Sequence, residues 1–207
     1  MDQAPAVNSK FVRPGIELVP ETYVAPLDLL STFGREAPLH VDLGCGDGDL
    51  LCELARRYPQ GNFLGVEKLA GRVAKACRKS ALLENVRVLN VESTYAVRYL
   101  LPEASVETFY LLFPDPWPKR RHHRRRIFTN DFLDSIHRAL ESGGTLRIAT
   151  DQRDYFEQIA TVCRNDSRFV ILDSEDADLP TTKFERRFAA AGAPIYRLAL
   201  RKVSPVT

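Results

Sequence analysis

The 207-residue sequence has little that would mark a metal-binding, disulfide-bonded or membrane-embedded protein. Its four cysteines form no CxxC pair, and no cluster of His and Cys has the spacing of a zinc site. We therefore expect reduced thiols and no bound metal, which fits a cytoplasmic location. No stretch approaches the ~18–20 apolar residues of a membrane span, and the polar, proline-bearing start lacks the apolar core of a signal peptide. The sequence predicts no membrane association.

The small net charge of +2 conceals one strongly basic segment. Residues 119–126 (KRRHHRRR, the basic run) hold six Lys and Arg and no acid, whereas the rest of the chain carries 23 Lys and Arg against 27 Asp and Glu. A single cationic patch on an otherwise slightly acidic protein favours a polyanionic partner. A solvated loop or a localisation signal is the alternative interpretation of the same run.

From residue 39 onwards, apolar runs alternate with helical patterns. Seven runs predict strands, at 39–44, 62–67, 86–91, 106–113, 145–151, 168–173 and 194–202, and four segments predict helices, at 50–58, 71–83, 130–140 and 153–164. This order predicts an α/β protein with a doubly wound, mostly parallel sheet of seven strands. Residues 1–37, with several prolines, predict an N-terminal arm with a short helix at 26–34, and residues 38–207 predict the main domain.

An acidic side chain stands at the end of each of the first five predicted strands. These residues are Asp42, Glu67, Glu92, Asp115 and Asp151. In open α/β sheets, ligands bind at the carboxyl ends of the strands. The sequence therefore predicts a ligand site on one edge of the sheet, surrounded by carboxylates.

The loop after the first of these strands, DLGCGDGD at 42–49, resembles a nucleotide-binding turn but departs from the dinucleotide pattern. In G-x-G-x-x-G the third glycine would fall at position 49, which is Asp. The acids of this loop would repel a pyrophosphate at the helix N-terminus. S-adenosylmethionine, which carries an ammonium and a sulfonium and no phosphate, suits an acidic loop better. Glu67, about 20 residues further on, is placed to accept hydrogen bonds from both ribose hydroxyls.

A proline-rich segment joins the fourth predicted strand to the basic run. It reads FPDPWPKRRHHRRRI and, together with TD at 150–151 and TKFERRFAAAGAPIYRL at 182–198, resembles the tRNA (guanine-N7)-methyltransferase family of bacterial single-subunit type. The resemblance extends from about Leu39 to Arg201. It implies a class I S-adenosylmethionine-dependent methyltransferase (Rossmann-like) fold for residues 38–207. It also implies methylation of the guanine at position 46, in the variable loop of tRNA, without an obligatory protein partner.

The resemblance also implies roles for individual residues of this chain. The catalytic residue would be Asp115. The S-adenosylmethionine pocket would be lined by Asp42, Gly44, Gly46, Glu67, Glu92 and Asp115. The substrate would be held by Lys119, Asp151, Thr182, Lys183, Phe184 and Glu185, and the RNA backbone by Arg120, Arg121, Arg124, Arg125 and Arg126. One departure concerns the adenine end of the pocket, where this chain has Glu92-Ser93 and the family usually has Asp followed by Ala.

Several alternatives remain open from the residues alone. Trp117 either stacks on the target base or closes the edge of the core. The protein could methylate another nucleic acid or a small molecule, although the basic run argues against a small molecule. It could also be an RNA-binding module that has lost catalysis, or a nicotinamide dehydrogenase, which Asp49 disfavours.

Overall fold

The computed structural model describes residues 16–172 and 179–203, except for the side chains of Lys183 and Phe184. The strands are β1 (Glu17–Leu18), β2 (Leu39–Leu43), β3 (Asn62–Glu67), β4 (Val86–Asn90), β5 (Val106–Leu112), β6 (Leu140–Thr150), β7 (Phe169–Leu172) and β8 (Tyr196–Lys202). The α-helices are α1 (Leu29–Phe33), α2 (Asp49–Arg57), α3 (Ala70–Lys79), α4 (Ser93–Tyr95), α5 (Asn130–Ala139), α6 (Arg153–Arg164) and α7 (Lys183–Ala190). A π-helical turn, Ala96–Leu100, continues α4, and a 3₁₀ helix covers Arg120–Arg125.

The strands form one sheet in the order β1-β4-β3-β2-β5-β6-β8-β7. Strands β1 to β6 are parallel to one another, and β8 runs antiparallel to both β6 and β7. The predicted doubly wound α/β class is confirmed. The predicted count of seven strands is wrong, because the two-residue strand β1 adds an eighth at the edge of β4. Its pairing of Glu17 with Val88 and Leu18 with Leu89 is too short to leave a periodic signal in the sequence.

Apolar side chains are buried on both faces of the sheet. One cluster packs α1, α5, α6 and the π-helical turn against the strands, and includes Leu27 and Phe33 from the N-terminal region. The second cluster packs α2 and α3 against the opposite face. Parallel strands covered on both faces read as continuous apolar runs, which is why β2 to β5 were predictable. None of the helices in the described ranges is long and apolar enough to cross a membrane.

The structure departs from the predicted elements around Gly143. The sequence predicts a helix to residue 140 and a strand at 145–151, but β6 begins at Leu140 and runs through the intervening residues. Gly143 has φ +77°, and a Cβ on Gly144 would lie 3.0 Å from the carbonyl oxygens of Val106 and Glu107. The glycines therefore allow β6 to lie close against β5 where the pairing register shifts.

Candidate active site

The sheet order brings the predicted acidic residues together along one edge. Strands β4, β3, β2, β5 and β6 are consecutive neighbours and parallel, so their carboxyl ends lie side by side. Along this edge the acids come in the order Glu92, Glu67, Asp42, Asp115 and Asp151. Neighbouring strands are about 4.8 Å apart, so a ligand of nucleoside size spans several of these positions.

The glycine loop between β2 and α2 has an open backbone. Gly44, Gly46 and Gly48 have φ values of +80°, +58° and +80°, which residues with a side chain rarely adopt. Among the residues that the structure describes, and apart from the adjoining ones, none has an atom within 4 Å of the place where a Cβ on Gly44 or Gly46 would be. A Cβ on Gly48 would instead lie 2.9 Å from the Cβ of Ala76. The first two glycines thus leave room for a ligand against the backbone, and the third lets α2 approach α3.

Glu67 is fixed at the end of β3 by backbone groups. Its Oε1 accepts a hydrogen bond from the Leu69 N–H at 2.8 Å, and its Oε2 accepts one from the Gly46 N–H at 3.2 Å. The Arg72 Nη1 lies 3.9 Å from Oε2, and the Glu67 side chain is only 5% exposed. A carboxylate offers about four acceptor positions. Glu67 is therefore oriented and still able to accept hydrogen bonds from a pair of ribose hydroxyls.

Asp42 is buried beside Glu67 at the end of β2. Burial, and then the charge of Glu67, raise the pKa of Asp42 to about 7. No cation among the residues that the structure describes offsets this shift. A cationic ligand would favour the charged form of Asp42. These two carboxylates and the open glycine backbone fit S-adenosylmethionine, whose ammonium and sulfonium supply the positive charge.

The acids of the glycine loop are not all available to a ligand. Lys79 of α3 places its Nζ 3.1 Å from the Asp47 carboxylate and also binds Asp49. At the other end of the edge, Glu92 is exposed and caps α4, because its Oε2 accepts from the Tyr95 N–H at 3.0 Å. Asp47 and Asp49 thus share one lysine, whereas Asp42 and Glu67 are the buried acids beside the glycine loop.

The proline-rich segment after β5 exposes Asp115. The Asp115 side chain is 70% exposed, and its Oδ2 lies 3.7 Å from the Nζ of Lys68. Phe113 and Trp117, on either side, have φ values of +53° and +43°. Such angles are unusual for bulky residues and mark a turn that its surroundings hold in place. Three prolines in this turn further restrict the backbone that carries Asp115.

Trp117 is half-buried and covered by residues of the basic run. The Arg125 guanidinium lies 4.9 Å from the centre of the indole ring, and the edge of His122 approaches at 5.9 Å between centroids. Neither sequence interpretation of Trp117 describes this arrangement fully, since one face of the ring is covered by an exposed arginine.

Most of the basic run faces solvent, but Arg126 does not. Lys119 and four arginines are exposed, namely Arg120, Arg121, Arg124 and Arg125. The Arg126 side chain is 2% exposed. Its guanidinium donates hydrogen bonds to the Pro116 carbonyl at 2.8 Å, to Gln158 Oε1 at 2.8 Å and to Asp154 Oδ2 at 2.5 Å, and lies over the Tyr155 ring. The prediction that Arg126 contacts the RNA backbone is therefore corrected, because this buried residue anchors the proline turn to α6.

The remaining predicted substrate residues lie near the same end of the sheet. Thr182 and Glu185 form a reciprocal capping box at the start of α7, and Glu185 also binds Arg197. Phe188 of α7 packs on Phe113 with ring centroids 5.3 Å apart, which joins this helix to the end of β5. The side chains of Lys183 and Phe184 lie outside the described part of the structure.

Asp151 is half-buried after β6. Its Oδ2 accepts a hydrogen bond from the side-chain amide of Gln152 at 2.6 Å. This places a further acceptor on the edge, next to the strand that carries Asp115. The substrate contacts predicted for Asp151, Thr182 and Glu185 stay predictions.

One residue of this site, Lys68, and the anchoring role of another, Arg126, were missed in the sequence. Lys68 directly follows Glu67, so its place after β3 was a usable signal. No signal in the sequence indicates the anchoring role of Arg126, because that role depends on where α6 packs. Within the described residues, no group of three or more His, Cys, Asp or Glu side chains is arranged to hold a metal ion.

Solved structures share this fold at low sequence identity. The antibiotic-resistance methyltransferase Kmr aligns with a TM-score of 0.61 at 19% identity, over 91% of this chain and 96% of its own. The 16S rRNA methyltransferase KamB aligns with a TM-score of 0.61 at 18% identity, over 87% and 95%. The fold is that of the class I S-adenosylmethionine-dependent methyltransferases, as the sequence predicted.

Closer relatives are similar over most of the sequence. A family model, Methyltransf_4, described as "Putative methyltransferase", matches residues 36–198. The chain is 42% identical over 191 residues to a tRNA (guanine-N(7)-)-methyltransferase of Halorhodospira halophila, covering 88% of this chain and 82% of the relative. It is 34% identical over 204 residues to one of Nitrosococcus oceani, covering 97% and 85%. The chain therefore belongs to the family of the tRNA (guanine-N7)-methyltransferases.

Proposed function

We propose that this protein transfers the methyl group of S-adenosylmethionine to N7 of the guanine at position 46, in the variable loop of tRNA. The observation that carries the proposal is the position of Asp115. This exposed carboxylate stands on the same edge as the glycine loop and Glu67, in a turn that continues directly into exposed arginines. Methyl donor, base and phosphates would thus meet at one place. The names of the relatives support guanine N7 of tRNA as the target.

The donor would bind along the carboxyl ends of β2, β3 and β4. Glu67, held by backbone N–H groups, would accept hydrogen bonds from the ribose hydroxyls, and Gly44 and Gly46 would let the donor lie against the backbone. Asp42 would balance its positive charge. Glu92 would lie near the adenine end. When bound, S-adenosylmethionine supplies an electrophilic methyl group.

The reaction requires alignment more than proton transfer. Guanine N7 carries a free lone pair at neutral pH, so its attack on the methyl group needs no general base. Asp115 would accept hydrogen bonds from N1–H and the amino group of guanine and so orient N7 towards the methyl group. Its negative charge would also favour the positively charged methylated base.

The exposed part of the basic run would hold the RNA backbone. Lys119 and the four exposed arginines lie beside the turn that carries Asp115, and phosphate contacts of this kind supply affinity without reading sequence. Asp151 and the segment from Thr182 to Glu185, on the neighbouring β6 and α7, would contact the target nucleotide. We further propose that residues 38–207 form the methyltransferase domain, that the protein acts in the cytoplasm and that it needs no protein partner or metal.

The test is methyl transfer from labelled S-adenosylmethionine to an unmodified tRNA transcript. We expect 7-methylguanosine after digestion, and strand cleavage specific for this base should map it to position 46. A transcript with adenine at that position is the matched control and should accept no methyl group. A labelled base other than 7-methylguanosine, or cofactor binding without any transfer, would contradict the proposal and favour another target or an inactive RNA-binding protein.

A further inference from the structure

Lys68 and Asp115 approach each other across the glycine loop. Lys68 follows the end of β3 and Asp115 follows β5, with β2 between them, so the two strands are about 10 Å apart. The Lys68 Nζ nevertheless lies 3.7 Å from Asp115 Oδ2. The two side chains therefore span the gap between the ends of β3 and β5. They remain 56% and 70% exposed, so a ligand can reach both.

Structural roles do not account well for this orientation. An ion pair between two side chains this exposed contributes little to stability, because solvent screens it. The neighbouring Glu67 carboxylate already has the Gly46 and Leu69 N–H groups and Arg72 around it. The ammonium of Lys68 is thus a hydrogen-bond donor held next to the acceptor Asp115, at the centre of the carboxyl edge.

This pair of charges matches one edge of guanine. On the Watson–Crick edge of guanine, the acceptor O6 lies next to the donors N1–H and N2–H. A carboxylate beside an ammonium offers the complementary order of acceptor and donor. Adenine presents an acceptor at N1, which would face the Asp115 carboxylate without a hydrogen bond, and a donor in place of O6, which would face the ammonium.

We propose that Lys68 donates a hydrogen bond to O6 of the target guanine while Asp115 binds N1–H and the amino group, so that the two residues select guanine together. This inference rests on the proposed function. It adds a specificity residue that acts on the same base as Asp115. Lys68 would contribute selection and orientation of the base, whereas the carboxylate of Asp115 would also balance the charge that forms on it.

Loss of Lys68 should slow methyl transfer within the bound complex. Phosphate contacts dominate tRNA affinity, so docking of the base is a separate step that follows binding. Removing one charged donor should lower the single-turnover rate with Lys68→Met by about 10–100-fold. The dissociation constants for tRNA and S-adenosylmethionine should change little. Lys68→Arg, which keeps a charged donor, should recover part of the rate.

The decisive measurement uses tRNAs with guanine, 6-thioguanine or inosine at position 46. Sulfur is a weaker hydrogen-bond acceptor than oxygen, so 6-thioguanine should slow the wild-type enzyme about tenfold more than it slows Lys68→Met. Any effect of sulfur on N7 itself is common to both enzymes and cancels in this ratio. Inosine, which lacks the amino group that Asp115 binds, should slow both enzymes by the same factor. Lys75→Met, an exposed lysine of α3, is the matched control and should behave as wild type.

Different failures have different meanings. Equal sensitivity of wild type and Lys68→Met to 6-thioguanine would overturn the assignment of Lys68, even if guanine is methylated as proposed. Weaker binding of all tRNAs by Lys68→Met with an unchanged base preference would make Lys68 a phosphate contact and also overturn it. A wild-type enzyme that methylates no tRNA guanine would reject the proposed function, and with it this assignment.

Discussion

Arg126 offers the sharpest test of how the proline turn is held. Its guanidinium joins the Pro116 carbonyl to Gln158 and Asp154 of α6 and lies 4.7 Å from the centre of the Tyr155 ring. Replacement by Met keeps much of the apolar volume but removes every one of these polar contacts. The prediction therefore concerns the free energy of unfolding as well as activity.

The size of the effect follows from the individual contacts. The buried hydrogen bonds to Pro116 and Gln158 involve a charged donor and contribute about 1.5 kcal/mol each at the lower end of the usual range. The contact with the Tyr155 ring adds about 0.5–1 kcal/mol. Asp154 is 56% exposed, so its pair with Arg126 adds little after screening by solvent. We expect Arg126→Met to lower the free energy of unfolding by about 3.5–4 kcal/mol.

Urea unfolding of the free protein measures this change. With a slope of about 2 kcal/mol/M, the midpoint should fall by about 2 M, whereas the exposed Arg124→Met should leave it nearly unchanged. The single-turnover rate should also fall, because Asp115 lies in the turn that Arg126 anchors. An unchanged midpoint together with weaker tRNA binding would refute this reasoning and return Arg126 to the RNA-binding surface.

Four further predictions address the proposed chemistry. Glu67→Gln should weaken S-adenosylmethionine binding by about 1.5–3 kcal/mol in titration calorimetry, because a charge-assisted hydrogen bond is lost; equal affinity would remove Glu67 from the pocket. Asp115→Ala should lower the single-turnover rate by about 10²–10³-fold with unchanged tRNA affinity in filter binding, and a wild-type rate would make Asp151 the next candidate. Replacing the four exposed arginines of the basic run by Ala should weaken binding of all tRNAs alike and flatten the slope of log affinity against log salt by roughly 0.7–0.9 per lost phosphate contact; an unaltered slope would identify a solvated loop. The folded-state pKa of Asp42, about 7, lies above its unfolded value of about 3.9, so its contribution to stability is present below about pH 4 and is lost as the pH rises through 7. Asp42→Asn should therefore remove up to about 4 kcal/mol of pH dependence from urea unfolding of the ligand-free protein, and an identical pH profile would contradict the buried position of this charge.

The parts of the fold that were predictable are those in which local sequence and tertiary position agree. Strands β2 to β5 are covered on both faces, so their apolar runs are uninterrupted, and each ends in a turn that the sequence marks with Gly, Pro or an acid. Helix α5 was predicted from residue 130, and it begins at Asn130 behind a capping residue, because the Thr129 hydroxyl accepts a hydrogen bond from the Phe132 N–H. Since parallel strands share one carboxyl edge, the meeting of the acids there followed from the element order alone.

The rest depended on contacts between segments far apart in the chain. Neighbours in sequence can have opposite environments, as Arg125 and Arg126 show: the exposed guanidinium of Arg125 covers the half-buried Trp117 ring, and that of Arg126 is buried against α6. No periodicity distinguishes them within a run of basic residues. The same applies to Lys79, whose pairing with Asp47 and Asp49 joins α3 to the glycine loop and offsets one of their two negative charges.

The two acids at the centre of the ligand-free site destabilise the folded protein. Asp42 and Glu67 are buried side by side, and the raised pKa of Asp42 means that its charged form is unfavourable in the folded protein. Exchanging either carboxyl for an apolar group would relieve that repulsion but remove an acceptor or a charge that the proposed donor needs. A cationic ligand that binds only the folded state stabilises it by mass action and at the same time favours the ionised form of Asp42. The negative charge that is confined here at low dielectric destabilises the ligand-free folded protein. The same charge favours S-adenosylmethionine, which is positively charged, over a dinucleotide that carries a pyrophosphate.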